Sequence, residues 1–329
     1  MMNRDRFFKK FVTVFSPFFL LGLWTPNAVG IDFPTKPITL VIGSQAGSAP
    51  DTLARILAEG MAEILKQPVV AENRPGAAGA IAASSVARSN SDGYTLMMMT
   101  AVHSISPTTR SDLDYSFVDD FKGIGMVASV PLLFVVNKDL GTRDLSAFIA
   151  RAKQGDIFYG TPGVGTLQHL ATEDFALKTG VKMTMIPYKG GGAATKAVIA
   201  NEVQLFFAGI PPALPHVKSG AISALGISSA KRSPAAPDVK TFQELGFADY
   251  NIDNWHALYV PKGTPDEVVV ILSKALNDVL NRPVTAERFL NVGATPSPSS
   301  PDEQTKFGQD EVKRWRQIVL DSGIELTGK

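Results

Sequence analysis

The 329 residues are 45% hydrophobic and 19% charged, with a formal net charge of +1, a balance that excludes a disordered chain and gives no electrostatic reason to expect nucleic acid or an anionic membrane surface as a partner. There is no cysteine, which excludes disulfides, thiolate metal sites, cysteine nucleophiles and the lipid-modified cysteine of a bacterial lipoprotein. The length is sufficient for two lobes rather than one.

The first segment differs from the rest. Arg4, Arg6, Lys9 and Lys10 precede the uncharged apolar run Phe11 to Trp24, and small residues follow at Ala28 and Gly30. That order reads as a secretory signal peptide over residues 1–30, with cleavage expected after Gly30. The rival reading is a membrane anchor, but the run holds fourteen residues and includes Pro17, whereas a spanning helix needs roughly twenty. Without Arg4, Arg6, Lys9, Lys10 and Asp5 the chain carries 28 basic against 30 acidic groups. The expected product is a soluble protein of the periplasm.

From Pro37 onward, β-branched runs alternate with helical periodicity. A strand over 38–42 leads to a helix near 49–66, where Leu53, Ile56, Leu57, Met61, Ile64 and Leu65 recur at three and four to form one apolar face. A strand at 68–71, a helix near 78–89 and a strand over 94–99 follow. The second series reads as strands at 132–136, 158–159, 183–187, 203–207 and 221–227, with helices over 145–153, 167–178, 193–200 and 211–218 between them. A long apolar strand, Trp255 to Val260, and helices over 265–281 and 301–321 close the chain. Strand, helix, strand in succession predicts parallel pairing. The chain is expected to cross from one sheet to the other near Ser129-Val130 and to return near Trp255-His256.

Four glycine-containing loops follow strands, where open α/β sheets place their ligand crevice. In Gly43 to Asp51, Ser48 and Asp51 are spaced as a capping pair, with Pro50 in the first helical turn. Thr161 to Thr166 ends in an N-cap threonine, Lys189 to Gly192 opens another helix, and Ala208 to Pro212 starts one at its prolines. Helix starts aim unpaired N–H groups outward and glycine lets an anion approach them, so such loops suit a carboxylate. Spacing alone equally permits turn glycines and simple helix caps.

Catalytic patterns are missing. Gln168 stands where a dinucleotide fingerprint needs its third glycine, Ala197 stands where a P-loop needs Ser or Thr, and no Gly-x-Ser-x-Gly occurs. His103, His169, His216 and His256 show no metal-ligand spacing and read as loop or cap residues. Glu173 and Asp174 read as solvated helix-surface carboxylates, and Trp255 as a core residue or a cleft wall.

Seven segments occur in the order of one known family: Pro34-Thr-Lys-Pro-Ile38, Glu72-Asn-Arg-Pro-Gly76, Asp92-Gly-Tyr-Thr-Leu96, Ile186-Pro-Tyr-Lys-Gly190, Ala213-Leu-Pro-His216, Ser229-Ala-Lys-Arg-Ser-Pro234 and Pro261-Lys-Gly-Thr-Pro265. Over roughly residues 33–323 the chain resembles the substrate-binding receptors of tripartite tricarboxylate transporters, also called the Bug family. The resemblance implies an α/β fold of the type II periplasmic-binding kind, two doubly wound lobes joined by a two-strand hinge. Residues 31–129 plus 257–329 would form one lobe and 130–256 the other. It implies a monomeric receptor, not an enzyme, without cofactor or metal. The receptor would deliver a small organic carboxylate to a membrane permease.

The same resemblance assigns ligand contacts residue by residue. The carboxylate would be pinched between the first loop (Ser44, Gln45, Ala46, Gly47, Ser48 and Asp51) and the second-lobe loop (Gly163, Gly165 and Thr166), partly through ordered waters. Further lining would come from Thr100, Val102 and His103, from Gly192, from Ala208 and Gly209, and from Trp255 or His256. Three departures from the family pattern bear on specificity. Ser44 to Ser48 replaces an aromatic with Pro-Pro-Gly-Gly, Ala208-Gly209 replaces Asp-Asn, and Leu167-Gln168 follows the second-lobe loop. Loss of the acidic partner suggests a carboxylate without a paired amino group. A ligand sensor for a kinase and a secreted hydrolase with its nucleophile near Ser48, Thr166 or His103 are the two alternatives.

Overall fold

The computed structural model describes residues 31–324, so the expected signal peptide lies outside the described residues. The chain begins as β1 (Ile38–Ile42), α1 (Ala49–Leu65), β2 (Val69–Asn73), α2 (Ala80–Ala87) and β3 (Thr95–Thr100), with β2 and β3 parallel to β1 on either side. The expected apolar face of α1 is buried, with Leu53, Leu57 and Met61 fully inaccessible. Two elements absent from the sequence reading come next, α3 (Ala101–Thr109) and β4 (Phe121–Ser129).

Composition explains why both were missed. Within α3, Ser-Ile-Ser-Pro-Thr-Thr is poor helix-forming sequence with Pro107 inside, and the helix is held by burial of Ala101, Ser104 and Ile105. Strand β4 carries Gly123 and Gly125, and glycine within a strand weakens the pattern by which a strand is read. They are strand glycines because the segment around 299–305 lies against them: a Cβ at Gly123 would sit 2.9 Å from Gln304 Cγ, and one at Gly125 would sit 3.0 Å from the Ser299 carbonyl oxygen.

Past Ser129 the chain enters a second sheet. It comprises β5 (Leu132–Asn137), α4 (Leu145–Ala152), β6 (Phe158–Thr161), α5 (Leu167–Thr179), β7 (Thr184–Pro187), α6 (Gly191–Ile199), β8 (Leu205–Gly209), α7 (Ile210–Lys218) and β9 (Ile222–Ile227). Phe134 centres its core, 4.9–5.1 Å from the rings of Phe148, Phe175 and Phe207. The chain then returns to the first sheet as β10 (His256–Pro261), α8 (Asp266–Leu280), α9 (Pro283–Leu290), β11 (Thr295–Pro296) and α10 (Pro301–Ser322). The sheet orders are β11-β4-β10-β3-β1-β2 and β7-β6-β8-β5-β9. Parallel pairing holds for β1 with β2 and β3 and for β6 with β7 and β8. The returning strand β10 is antiparallel to β3 and β4, and β5 is antiparallel to β8 and β9, so each sheet is mixed.

The two crossing segments are tied together by one carboxylate. Asp253 accepts the Ser129 hydroxyl and, at 2.7 Å, the Val130 N–H. Asn254 N donates to Val130 O at 3.2 Å, and Ile252 N donates to Ser228 O at 2.8 Å. Helix α10 packs against α3, β4 and α5, touching elements of both sheets. Its buried Glu311 accepts the indole N–H groups of Trp255 and Trp315, each at 3.1 Å.

Burial pushes the Asp253 carboxyl up to about 6, which the Ser129 and Val130 hydrogen bonds oppose and the Glu311 charge reinforces. A folded-state value above the unfolded one of about 3.9 means that stability is lost as pH rises from about 4 through 6 and is regained on acidification. Urea midpoints are therefore expected to show a gain between pH 7 and pH 5 in the wild type that is reduced in Asp253→Asn. Identical pH responses of the two proteins would contradict this.

Candidate functional site

Strand register sets the site. Ile42 pairs with Asn73 and Met98, Thr100 with His256, and His256 with Ala128, so these residues end one edge of the first sheet. In the second sheet Thr161 pairs with Pro187, Leu132 with Gly209, and Leu133 with Ile227. The crossings join edge to edge, and the loops after β1, β3, β6, β7 and β8 all leave from these two edges. The facing elements meet: a Cβ at Gly165 would lie 3.1 Å from Thr109 Cγ2, and one at Gly293 would lie 2.7 Å from Pro211 Cδ.

In the first loop Ser48 is the N-cap of α1 and accepts the Asp51 N–H at 3.4 Å, while its hydroxyl meets that of Ser44 at 2.7 Å. Asp51 is 3% exposed. Its carboxylate accepts Gly47 N at 2.9 Å, Asn73 Nδ2 at 2.9 Å and Arg55 at 2.9 Å. Burial alone would raise its affinity for a proton, but Arg55, the Gly47 N–H and Asn73 together hold it below the usual carboxylate range. The capping pair read from sequence thus reaches back one residue further, to Gly47, whose φ is 80°. Gln45, Ala46 and Gly47 are exposed.

Thr100 is the N-cap of α3, and its N–H donates to His103 Nδ1 at 3.1 Å. Burial pushes the ring down to about 4, so it is neutral at pH 7. Val102 is half-buried on the first turn. In the second-sheet loop, Thr166 caps α5 by accepting the His169 N–H at 3.4 Å and donates to Gly163 O at 2.8 Å. Gly165 N donates to His169 Nδ1 at 3.1 Å. Gly192 is exposed in the first turn of α6, and Gly209 is the N-cap of α7. First-turn N–H groups at Ala49, Ala101, Val102, Leu167 and Gln168 lack intrahelical partners by helix geometry.

Other expected contacts sit deeper. Ala208 is fully buried in the apolar cluster with Leu133, Ala194 and Ala213. His256 is fully buried, burial pushing it down to about 4, and neither ring nitrogen has a hydrogen-bond partner. Trp255 is 1% exposed, with its ring between Phe117 and Phe307 and its N–H on Glu311. It borders a cavity of about 340 Å³ at the hinge with Ser129, Asp253 and Arg314, the only residue of those expected at the ligand to do so. None of Ser44–Ser48, Gly163–Thr166 or Gly192 lines that cavity.

Two further sequence expectations change. Asp174 is 5% exposed and Glu173 accepts the Tyr159 hydroxyl, because α5 is packed by its own sheet on one side and by α10 on the other. Sequence reading took His169 only as a loop or cap residue and did not link it to Gly165, whose N–H its ring accepts. Its signal was its spacing, three residues after the Thr166 cap as Asp51 is after Ser48. Neither Ser48 Oγ nor Thr166 Oγ1 has a histidine ring nitrogen as partner. Among the described residues no group of three or more His, Asp or Glu side chains could hold a metal ion.

The sequence model of the family described as "Tripartite tricarboxylate transporter family receptor" matches residues 53–324. Protein BugT of Bordetella pertussis is 35% identical over 298 residues, which is 89% of this chain and 91% of BugT. The solved structure of R. palustris Rpa4515 with adipate is similar with a TM-score of 0.74 at 32% identity, over 89% of this chain and 99% of that one. MatC from Rhodopseudomonas palustris with bound malate is similar with a TM-score of 0.68 at 28% identity, over 87% and 100% of the two chains.

Two glycines in these loops should respond differently to a methyl group. Gly165 has φ of 74° with Thr109 close by, so Gly165→Ala should lower the unfolding free energy by about 1–2 kcal/mol. Gly192 lies in a helix with nothing within 4 Å of a Cβ, so Gly192→Ala should raise it by about 0.5–1 kcal/mol. Urea denaturation of both variants checks the signs; a stabilised Gly165→Ala would contradict the loop geometry.

Proposed function

The chain belongs to the tripartite tricarboxylate transporter receptor family, and on that premise we propose that it captures a small organic carboxylate between its facing loops and hands it to the membrane permease of such a transporter. It is a solute-binding receptor. What supports the ligand class is that α1, α3 and α5 all begin at the facing sheet edges, with first-turn N–H groups that lack intrahelical partners. The bound adipate and malate of Rpa4515 and MatC, two acids without an amino group, point the same way.

In this reading two lobes, residues 31–129 plus 257–329 and residues 130–256, close about the Ser129 and Asp253 crossings. The ligand lies against Ser44–Ser48, Thr100–His103, Gly163–Thr166, Gly192 and Gly209. A charge-assisted hydrogen bond is worth about 1.5–3 kcal/mol and the helix dipole about 0.3–1 kcal/mol, so directed N–H contacts carry the affinity. Micromolar binding corresponds to about −8 kcal/mol, within reach of a few such bonds plus apolar burial. The receptor acts as a monomer and makes or breaks no bond.

Receptors of this family are periplasmic, and residues 1–30 serve as the cleavable signal peptide. Among the described residues no helix is long and apolar enough to cross a membrane.

The test is a thermal-shift and calorimetric panel of adipate, malate, other di- and tricarboxylates, aromatic acids and amino acids. A cognate acid at a hundred times its Kd adds about 2.7 kcal/mol to stability and should raise the melting temperature by several degrees. An amino acid binding far more tightly than any carboxylate lacking an amino group would contradict the assignment.

A further inference from the structure

Helix α5 leads away from the loop at 163–166 and packs on α10, so a helix of one proposed lobe rests on a helix of the other. Asp174 of α5 is 5% exposed. Its Oδ1 lies 3.4 Å from Lys178 Nζ, one turn further along the helix, while its Oδ2 is buried without a hydrogen-bond partner. Arg314 of α10 is near enough for its charge to act on Asp174, yet the two make no ion pair. Arg314 Nη1 donates to Asn251 O at 2.6 Å, in the segment that returns to the first sheet, and to Glu311 Oε1 at 3.2 Å. Arg314 Nη2 is buried and has no partner.

A buried carboxylate oxygen without a donor and a buried guanidinium N–H without an acceptor have each given up water and gained no bond in return. Burial raises the proton affinity of Asp174, which the charges of Lys178 and Arg314 oppose. Between the helices the fully buried Tyr250 feels both charges, but its hydroxyl is committed to Ala171 O at 2.8 Å. Glu311 offers nothing more to Arg314, since its Oε2 holds the indoles of Trp255 and Trp315. Each unmet group lacks what the other provides. They are unmet in an arrangement where the two sheets' elements touch across the crevice, Gly165 against Thr109 and Gly293 against Pro211. Rotation about the crossings at Ser129 and Asp253 would slide α5 along α10 and change the separation of Asp174 from Arg314.

We infer that Asp174 and Arg314 set the receptor's affinity from outside the crevice: unpaired while the lobes touch, they pair with each other when the lobes part, and so hold the empty receptor open. This rests on the two-lobed receptor reading above. Neither side chain touches the ligand, and both are positioning residues. The ligand has to offset the broken pair when it closes the lobes, which lowers its apparent affinity by the fraction of empty receptor that is already closed.

Removing the Asp174 charge should therefore tighten binding, whereas loss of a merely structural group would weaken it or leave it unchanged. With adipate and malate as probes in calorimetry at pH 7.5, Asp174→Asn should bind about five- to tenfold more tightly than wild type. The same gain should vanish in an Arg314→Gln background, where the pair is already lost. Unchanged or weaker binding by Asp174→Asn, or an equal gain in both backgrounds, would overturn the proposal. Asp174→Leu, uncharged and of similar size, takes its place if the asparagine variant does not fold. A readout independent of ligand comes from the lack of cysteine, which lets spin labels be placed on cysteines introduced at exposed Val270 of α8 and Lys196 of α6. Ligand-free wild type should show a long label–label distance in most molecules, and Asp174→Asn should move that population to a shorter one. A single short distance in ligand-free wild type, or the same distribution in the variant, would overturn the proposal. Wild-type protein that binds neither acid would count against the assumed ligand class, and the label distances would still decide whether the pair opens the lobes.

Discussion

A helix start exposes N–H groups that nothing within the helix can satisfy, and the order of the strands sets where those groups lie in this chain. Three helices, α1, α3 and α5, start at the facing sheet edges, and each places an acceptor three residues after its cap: Asp51, His103 and His169. Each acceptor takes up one backbone N–H behind the first turn, at Gly47, Thr100 or Gly165. The N–H groups of the first turn itself have no intrahelical partner, and in the proposed receptor they meet the ligand. Recognition of this kind reads an anionic group through fixed dipoles and needs no lysine or arginine at the centre of the crevice.

Holding such dipoles in register across two sheets places demands on the connection between them. Both crossings are short, and the Asp253 carboxylate fastens one to the other through Ser129 and Val130. Helix α10 adds a brace that reaches from α3 and β4 to α5, with Glu311 binding the two indoles that flank the hinge. Buried carboxylates at 253 and 311 with all their close partners in the protein cost desolvation, and what they provide is a defined geometry at the crossings. The cavity of about 340 Å³ beside them is a feature of the hinge.

Much of this was legible in the sequence, because the signals were local. The apolar face of α1 follows from spacing at three and four, and the caps Ser48 and Thr166 follow from residue type and position. What was not legible depended on neighbours distant in the chain. Helix α3 exists because Ala101, Ser104 and Ile105 are buried, against a sequence of serines, threonines and a proline. Gly123 and Gly125 are strand residues because the backbone near Ser299 and Gln304 crosses them. Helix α5 is packed on both sides, so polar Asp174 is buried and Glu173 half-buried, and its apolar periodicity is weak. Trp255 turns toward Phe117 and Phe307, which its position at the strand start does not reveal.

In the proposed receptor, backbone N–H groups at the helix starts hold the carboxylate. A crystal structure of the protein with adipate or another acid from the panel tests it most directly. Binding as proposed places a carboxylate oxygen within about 2.7–3.1 Å of a first-turn nitrogen, such as that of Leu167 or Gln168, directly or through one ordered water. A carboxylate held instead by a lysine or arginine side chain, or an acid seated in the hinge cavity beside Asp253, would contradict it.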